Sequence, residues 1–303
     1  MGDREVDELE RLWYGAIFRI NFLEKRGTEF QDWFVKLAGY AWGDDFEEVR
    51  PYGNVGDWKC DGWRISTGSV FQCYAPRGMT ASEALQKVNA DFAGAAKHWP
   101  RMQAWHFVHN DGDGLPPQVT NLFQTLRTAN PTVSLAPWSE PELLALVPLL
   151  SRTHAAALFG PAPTAMAFER LGYSDLQPVI DAIALGQPDI GIEPRAPSPT
   201  KLEHNHLSVE AADLLRAGRR KERLVESFID SQLNPQQGER IAQTFREKYA
   251  ELKALHLPPD IIFGYLHRLV GTSGTPQQQA AGLAVLSYLF ERCDIFEDAP
   301  TIQ

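Results

Sequence analysis

Apolar positions in the first part of the chain recur every three or four residues, the period of an amphipathic helix. The stripe of a first helix, predicted from Asp7 to about Lys25, consists of Leu9, Leu12, Trp13, Ala16 and Ile17. A second helix is predicted after Gly27, with Phe30, Trp33, Phe34 and Leu37 on one face. From residue 46 the period changes to two, which predicts three short strands with the sequences FEEVRPYG, CDGWRI and VFQCYA.

Helices and strands then alternate up to about residue 152. Thr80 and Glu83 form a capping box that opens a helix running to about His98. The segments AWHFVHN and TVSLAPW predict strands, whereas LPPQVTNLFQTLRTANP and SEPELLALVPLL predict helices. The predicted order α-α-β-β-β-α-β-α-β-α corresponds to a three-layer α/β domain over residues 1–152.

Strand patterns stop after this domain. Residues 153–204 combine a helical stretch, interrupted at Gly160, with a proline-rich linker at 186–203. Four helix patterns follow from Ser208, and they predict an all-α domain over residues 205–303. The first of these patterns, VEAADLLRAGRRKERLVESFID, carries a dense basic run, for which a solvated face and a contact with DNA or an acidic partner are the alternatives.

Composition and charge limit the class of function. The chain of 303 residues has a net charge of −10 and an isoelectric point near 5.3. Nucleic-acid binding depends on clustered Lys and Arg, so any contact with DNA must be local or belong to an assembly. The three cysteines, Cys60, Cys73 and Cys293, lack metal-type spacing, and neither a leader peptide nor a membrane span is predicted. A cytoplasmic protein without a membrane partner is expected.

The segment between residues 56 and 76 concentrates the candidate chemistry. If the chain turns at Thr67-Gly68, Ile65 lies opposite Val70 and Asp61 lies opposite Tyr74. Because side chains two apart share a face, Asp61, Gln72 and Tyr74 would project together. A carboxylate and a carbonyl oxygen suit a hard divalent ion, which would polarise a phosphate and lower the pKa of a bound water. Tyr74 can donate a hydrogen bond but supplies no positive charge.

Lys87 could supply the missing charge. It lies on the helix after the last of the three strands, four residues before Asp91, so both share one helical face. The alternative is an exposed Lys87–Asp91 pair without a catalytic role. Either Glu29 or Gln31, on the second helix, could complete a metal shell, and Asp57 could be a further ligand or could shape a turn. His109 ends the strand AWHFVHN and is a candidate substrate contact.

These residues resemble the PD-(D/E)XK nuclease superfamily and, within it, the Mrr-like restriction endonucleases. The similar features are the segment Gly56-Asp57-Trp58-Lys59-Cys60-Asp61-Gly62, the strand end Gln72-Cys73-Tyr74 and the αβββαβ order, over roughly residues 26–150. Tyr74 stands where the family has a lysine. The resemblance implies a restriction-endonuclease-like core, DNA as substrate and Mg²⁺ or Mn²⁺ as cofactor. Asp61 would be the main metal ligand, Gln72 the secondary one, and Glu29 or Gln31 the helical one.

The C-terminal sequence AVLSYLFERCDIFEDAP, residues 284–300, is similar to the terminal helix of proteins in ABC-three-component defence systems, such as the Lamassu anti-phage group. This resemblance implies an effector that works with an ABC/SMC-like ATPase and a small middle subunit, with docking or self-association through the helical half. Two functions follow as expectations: a metal-dependent DNA endonuclease, or a catalytically inactive module of the same fold that binds DNA or acts as a scaffold.

Overall fold

The computed structural model describes residues 6–50, 58–184, 201–232, 236–270, 274–292 and 294–298. These residues form two compact units. The α/β unit spans Asn21–Leu158, and the helical unit combines the residues up to Ile20 with those from Phe159 onward. Most of the first helix therefore belongs with the C-terminal helices, although the sequence analysis grouped it with the strands.

The predicted order of helices and strands is confirmed for the N-terminal part. Its helices are α1 (Glu8–Glu24), α2 (Gly27–Trp42), α3 (Ala81–His98), α4 (Pro117–Ala129), α5 (Glu140–Leu144) and α6 (Arg152–Phe159). Its strands are β1 (Phe46–Glu48), β2 (Gly62–Arg64), β3 (Ser69–Tyr74), β4 (Ala104–His109) and β5 (Ser134–Trp138). The Thr80–Glu83 cap is also present, because Glu83 N donates to Thr80 Oγ1 at 3.3 Å. Pro148 accompanies a change to a short 3-10 turn at Val147–Leu149, so the helix predicted for SEPELLALVPLL is shorter than expected.

The five strands form one sheet in the order β1-β2-β3-β4-β5. The pairs β1–β2 and β2–β3 are antiparallel, whereas the pairs β3–β4 and β4–β5 are parallel. Helix α2 covers one face of the sheet, where Phe34 packs 5.6 Å from Phe71 between ring centroids. Helices α3 and α4 cover the other face, in a core cluster that contains Val70, Trp105 and Phe107. This is the predicted three-layer α/β arrangement.

The register of the β2–β3 hairpin differs from the predicted one by two residues. Arg64 pairs with Ser69 and Gly62 pairs with Phe71, so Ile65 does not lie opposite Val70. The reason is a contact from a distant residue: Asp45 accepts hydrogen bonds from Arg64 Nε at 2.8 Å and from Ser66 N at 2.7 Å. These bonds pull Ile65 and Ser66 into the loop, and Gly68 closes it with a left-handed φ of 58°.

The helical unit has eight complete helices among its described residues, besides the start of α1 and the last residue of α6. They are α7 (Ala165–Glu169), α8 (Tyr173–Ala184), α9 (Lys201–His204), α10 (Val209–Arg219), α11 (Glu222–Asp230), α12 (Gln237–Ala254), α13 (Pro259–Leu269) and α14 (Pro276–Glu291), and α6 ends in this unit at Phe159. The pattern predicted as one helix over 209–230 is two helices, α10 and α11, with the basic run at their junction.

Helix α14 is the central element of the helical unit. Every residue from Gln279 to Phe290 is buried, as expected for a helix that is apolar on all sides. Gly218 of α10 lies directly against it, because a Cβ at that position would meet the Ser287 hydroxyl and would lie 2.8 Å from the Leu283 carbonyl oxygen. Glycine therefore sets the close approach of α10 to α14.

No helix in the described part of the chain has the length and the hydropathy that crossing a membrane requires.

Candidate functional site

Asp61 and Gln72 form a direct side-chain contact on neighbouring strands of the α/β unit. The ladder that pairs Gly62 with Phe71 places Asp61 opposite Gln72, and Tyr74 is not its partner. Gln72 Nε2 and Cys73 N both donate to Asp61 Oδ2, at 2.9 Å and 2.6 Å. Both residues are buried, with 1% of Asp61 and 4% of Gln72 exposed. The predicted convergence of carboxylate and amide is present in this geometry.

The carbonyl oxygen of Gln72 is the unusual atom of this pair. Because a carboxylate can only accept, the Gln72 amide must point its NH₂ group at Asp61. Gln72 Oε1 is then buried without a hydrogen-bond partner among the residues that the structure describes. An acceptor left in this state costs about 1–3 kcal/mol of desolvation. A buried acceptor without a partner is therefore a candidate ligand atom.

Tyr74 and Lys87 lie next to each other at the end of β3. Lys87 Nζ is 6.0 Å from the centroid of the Tyr74 ring, which is a cation–π arrangement. Burial, followed by the charges of Glu83 and Asp91, raises the pKa of Tyr74, so its hydroxyl stays protonated. Tyr74 is thus a hydrogen-bond donor without charge, and the nearby positive charge comes from α3.

Asp91 is a buried anchor for two ammonium groups. Only 1% of its side chain is exposed, and Lys87 Nζ and Lys59 Nζ lie 2.7 Å and 3.2 Å from its carboxylate oxygens. The Lys87–Asp91 pair is therefore not the fully exposed pair of the alternative interpretation. Two ammonium groups on one carboxylate give these three residues together a net positive charge. We call Lys59, Asp91 and Lys87 the cation cluster.

Sequence reasoning missed Lys59. Its position depends on two successive residues in the left-handed region, Trp58 with φ 53° and Lys59 with φ 61°, which no local pattern predicts. Its aliphatic stem crosses α3 at Gly94, where an added Cβ would lie 2.5 Å from Lys59 Cγ. A glycine inside a helical pattern was the available signal, because such a residue often marks close packing.

The charges of Asp61 and Lys87 both act on the Cys73 thiol. Burial raises the pKa of the Cys73 thiol well above its usual range, Asp61 raises it further, and Lys87 opposes the shift. The thiol therefore stays protonated and unreactive at neutral pH. Cys60 and Cys73 are both free cysteines.

The candidate helical ligands lie at the start of α2. Gly27 N donates to the carbonyl oxygen of Ala75 at 2.7 Å, which attaches the first turn of α2 to the end of β3. Glu29 belongs to that turn and is exposed, while Gln31 is partly buried. Asp57, the remaining candidate ligand, lies outside the described residues.

The histidines of β4 occupy opposite faces of the sheet. His106 stacks 4.8 Å from Phe71 on the α2 side, and burial lowers its pKa to about 4. His109 pairs in register with Tyr74, and burial lowers its pKa as well. Asn110, a residue that sequence reasoning did not single out, donates to the carbonyl oxygens of Phe22 and Lys25 and fixes the end of α1 beside β4.

The donor set fits a hard divalent cation in part. Among the described residues, no three His, Cys, Asp or Glu side chains converge as a metal-binding group. Carboxylate and carbonyl oxygens are nevertheless the ligands that Mg²⁺ prefers, and Mg²⁺ usually keeps several waters and phosphate oxygens in its shell. Asp61 and the carbonyl oxygen of Gln72 are donors of this kind, but the NH₂ group of Gln72 faces Asp61 in this structure, so the amide must turn over before both oxygens can bind one ion.

The C-terminal part of the chain matches a family of known domains. Residues 174–297 match the family CTD10, described as C-terminal domain 10 of the ABC-three component (ABC-3C) systems. The match lies within the helical unit and leaves the α/β unit outside it. No curated protein and no solved structure gave a significant match.

Proposed function

We propose that this chain is the DNA-cleaving effector of an ABC-three-component anti-phage system and hydrolyses phosphodiester bonds with Mg²⁺ or Mn²⁺. The match of residues 174–297 to an ABC-3C domain supports a role in a multi-component system. In this proposal the helical unit docks on the other components, which include an ATPase subunit. In this proposal the system belongs to the Lamassu group, whose proteins the C-terminal sequence of this chain resembles.

One observation supports the hydrolytic role above the others. Gln72 donates to Asp61 and leaves its own carbonyl oxygen buried and without a hydrogen-bond partner among the described residues. The NH₂ group of Gln72 is accounted for by its bond to the buried Asp61 carboxylate, whereas its carbonyl oxygen is buried at a desolvation cost that this bond does not offset. A metal ligand role would give this oxygen a partner.

In the proposed mechanism, the residues of the site have different roles. Asp61 and Gln72 would hold the ion, with Glu29 as the candidate third ligand. A divalent cation in such a site polarises the phosphate and lowers the pKa of a bound water. Lys87, held by Asp91, offsets the negative charge that develops on the phosphate, and the Tyr74 hydroxyl donates a hydrogen bond.

A second candidate function is a DNA-binding subunit without catalysis. The specific observation in its favour is that Asp61 is 1% exposed and that its Oδ2 already accepts two hydrogen bonds. In this case Asp61 would hold the β2–β3 hairpin together, and the cation cluster would bind DNA without cutting it.

Plasmid cleavage in the presence of Mg²⁺ separates the two. We expect the full chain, assembled with its co-purified partners, to nick or linearise supercoiled plasmid, and the Asp61→Asn variant to lose this activity by at least about 100-fold, the size expected for loss of an electrostatic group in the transition state. The control is Asp32→Asn, which changes an exposed aspartate of α2. Equal inertness of all three proteins, with DNA binding retained, would favour the non-catalytic subunit.

A further inference from the structure

Four aromatic rings form a surface cluster beside the cation cluster. Trp58 stacks on His98 with centroids 5.3 Å apart and an interplanar angle of 8°, and it contacts the edge of Trp99. Trp63 stacks on Trp99 at 5.3 Å. Trp99 Nε1 donates to the carbonyl oxygen of Trp58 at 3.2 Å, which ties the cluster together. We call these four residues, Trp58, Trp63, His98 and Trp99, the aromatic platform.

Trp58 remains widely exposed on this platform. It is 45% exposed, whereas most large apolar side chains of the chain are buried. Its backbone adopts a left-handed φ of 53°, which costs about 1 kcal/mol or more for a bulky residue. The left-handed turn therefore holds an exposed indole at the surface, stacked on His98.

The same strained turn positions Lys59. Trp58 and Lys59 both have a left-handed backbone conformation. Because Gly94 has no side chain, α3 has a groove in which the aliphatic stem of Lys59 lies. The ammonium group ends 3.2 Å from the buried Asp91. An exposed tryptophan and a fixed ammonium group are thus presented by two consecutive residues.

The segment that contains most of α3 and the platform residues His98 and Trp99 is positively charged although the chain as a whole is acidic, and Glu47, which pairs in register with Trp63, adds one negative charge beside the platform. Between Ala84 and Arg101 the sequence contains Lys87, Lys97 and Arg101, and its single acidic residue, Asp91, is buried against two lysines. The net charge of the whole chain is −10. A ligand that matches this surface carries negative charges and flat aromatic groups at close spacing.

We propose that the aromatic platform and the cation cluster bind unpaired nucleotides of a DNA strand, with a base stacked on Trp58 and the phosphates beside it contacting Lys59 and Lys87. Nucleic acid as ligand class rests on the proposed function, whereas the preference for unpaired bases is new. Stacking on an exposed indole requires a free base face, which a paired and stacked duplex does not offer. The site therefore selects single-stranded or frayed DNA.

Fluorescence anisotropy with a labelled single-stranded oligonucleotide tests the proposal, with the full chain in EDTA so that no cleavage occurs. We expect wild type to bind the single strand more tightly than the matching duplex. Trp58→Ala should weaken single-strand binding about 5- to 150-fold, which is the usual effect of replacing a base-stacking residue with alanine. Trp58→Phe should restore most of the affinity, because a flat ring is retained.

Lys59→Gln gives a second, independent readout. We expect weaker binding and a smaller dependence of log K on log salt, by about 0.7 for the loss of one phosphate contact. The matched control is Tyr173→Ala, because Tyr173 is an aromatic residue of similar exposure, 44%, outside the platform. Its affinity for the single strand should equal that of wild type.

Three results would overturn the proposal: Trp58→Ala binding the single strand like wild type, wild type preferring the duplex, or wild type failing to bind the single strand. In the last case the platform would be a surface for a protein partner. Failure of the proposed hydrolysis is distinguishable, because binding that depends on Trp58 would persist in EDTA while plasmid cleavage with Mg²⁺ is absent. Conversely, cleavage that depends on Asp61 but not on Trp58 would support the proposed hydrolysis and would contradict DNA binding by the aromatic platform.

Discussion

Asp61 and Gln72 are joined across the β2–β3 hairpin by a 2.9 Å hydrogen bond, and the bond orients the amide so that its carbonyl oxygen is buried without a partner among the described residues. In a structural role, Gln72 serves as the donor to the buried carboxylate, and its carbonyl oxygen has no function. In the proposed ligand role, that oxygen would bind the cation.

Replacing Gln72 with glutamate places two carboxylates in contact inside the protein. Since like charges at this distance repel, we expect Gln72→Glu to lower the free energy of unfolding by about 1–3 kcal/mol at pH 7 without divalent ions. Addition of Mg²⁺ should raise the thermal midpoint of the variant more than that of wild type. The control, Gln86→Glu, changes an exposed glutamine of α3 and should respond to Mg²⁺ like wild type. An equal response of all three proteins contradicts a cation site at Asp61.

Gly94 sets the path of Lys59 across α3. Glycine to alanine inside a helix ordinarily stabilises by about 0.5–1 kcal/mol. Gly94→Ala should instead be neutral or destabilising, because its Cβ would lie 2.5 Å from Lys59 Cγ. Gly39→Ala in α2 is the matched control and should stabilise, since its nearest neighbour, Phe46, is 3.9 Å away. Urea unfolding measures both, and a stabilised Gly94→Ala variant would show that the Lys59 stem moves freely.

Gly218 controls the contact between α10 and α14 in the helical unit. An added Cβ would lie 2.8 Å from the Leu283 carbonyl oxygen and would also meet Ser287, so backbone must move. We expect Gly218→Ala to destabilise by about 1–3 kcal/mol, as overpacking of a core usually does. Chemical denaturation followed by circular dichroism measures this change. A variant as stable as wild type would mean that the two helices separate without cost.

His267 makes the stability of the helical unit depend on pH. It is buried against Trp13, with ring centroids 4.6 Å apart, and burial lowers its pKa from 6.5 to about 3. Between pH 6.5 and pH 3, His267 binds a proton in the unfolded chain but not in the folded chain. Its contribution to the free energy of unfolding is therefore fully present above about pH 6.5 and is lost as the pH falls towards 3. The slope from this residue is at most about 1.4 kcal/mol per pH unit.

The His267→Phe variant isolates this contribution. Its unfolding free energy should fall less steeply between pH 6.5 and pH 4 than that of wild type, whereas His204→Gln, at an exposed position of α9, should keep the wild-type slope. Denaturation curves at several pH values give the comparison. Equal slopes for wild type and His267→Phe would mean that His267 is protonated in the folded protein.

The sequence predicts the order of elements because the periods of three to four and of two are strong in this chain. It also places Asp61 and Gln72 on one face, since the observed register and the predicted one differ by two residues and a shift of two preserves the face. The register itself was not predictable from the hairpin, because Asp45, a residue far along the chain, holds Ser66 in the loop.

Two other features depend on tertiary contacts that no local pattern contains. The apolar stripe of α1 predicts a helix but not its partner, and the structure packs Trp13 on His267 and Ile20 on Gly264. Lys59 lies in the segment that resembles a nuclease motif. In that segment the resemblance predicts site roles for the aspartates and none for the lysine. Its role beside Asp91 requires two left-handed residues and a glycine on another element.

The most direct test of the proposed site is an anomalous-scattering experiment on crystals of the full chain grown with Mn²⁺. We expect one anomalous peak beside Asp61, within coordination distance of its carboxylate and of the Gln72 carbonyl oxygen. Density without a peak at saturating Mn²⁺, with Asp61 still accepting its bonds from Gln72 and Cys73, would contradict the claim that this pair holds the ion of a nuclease.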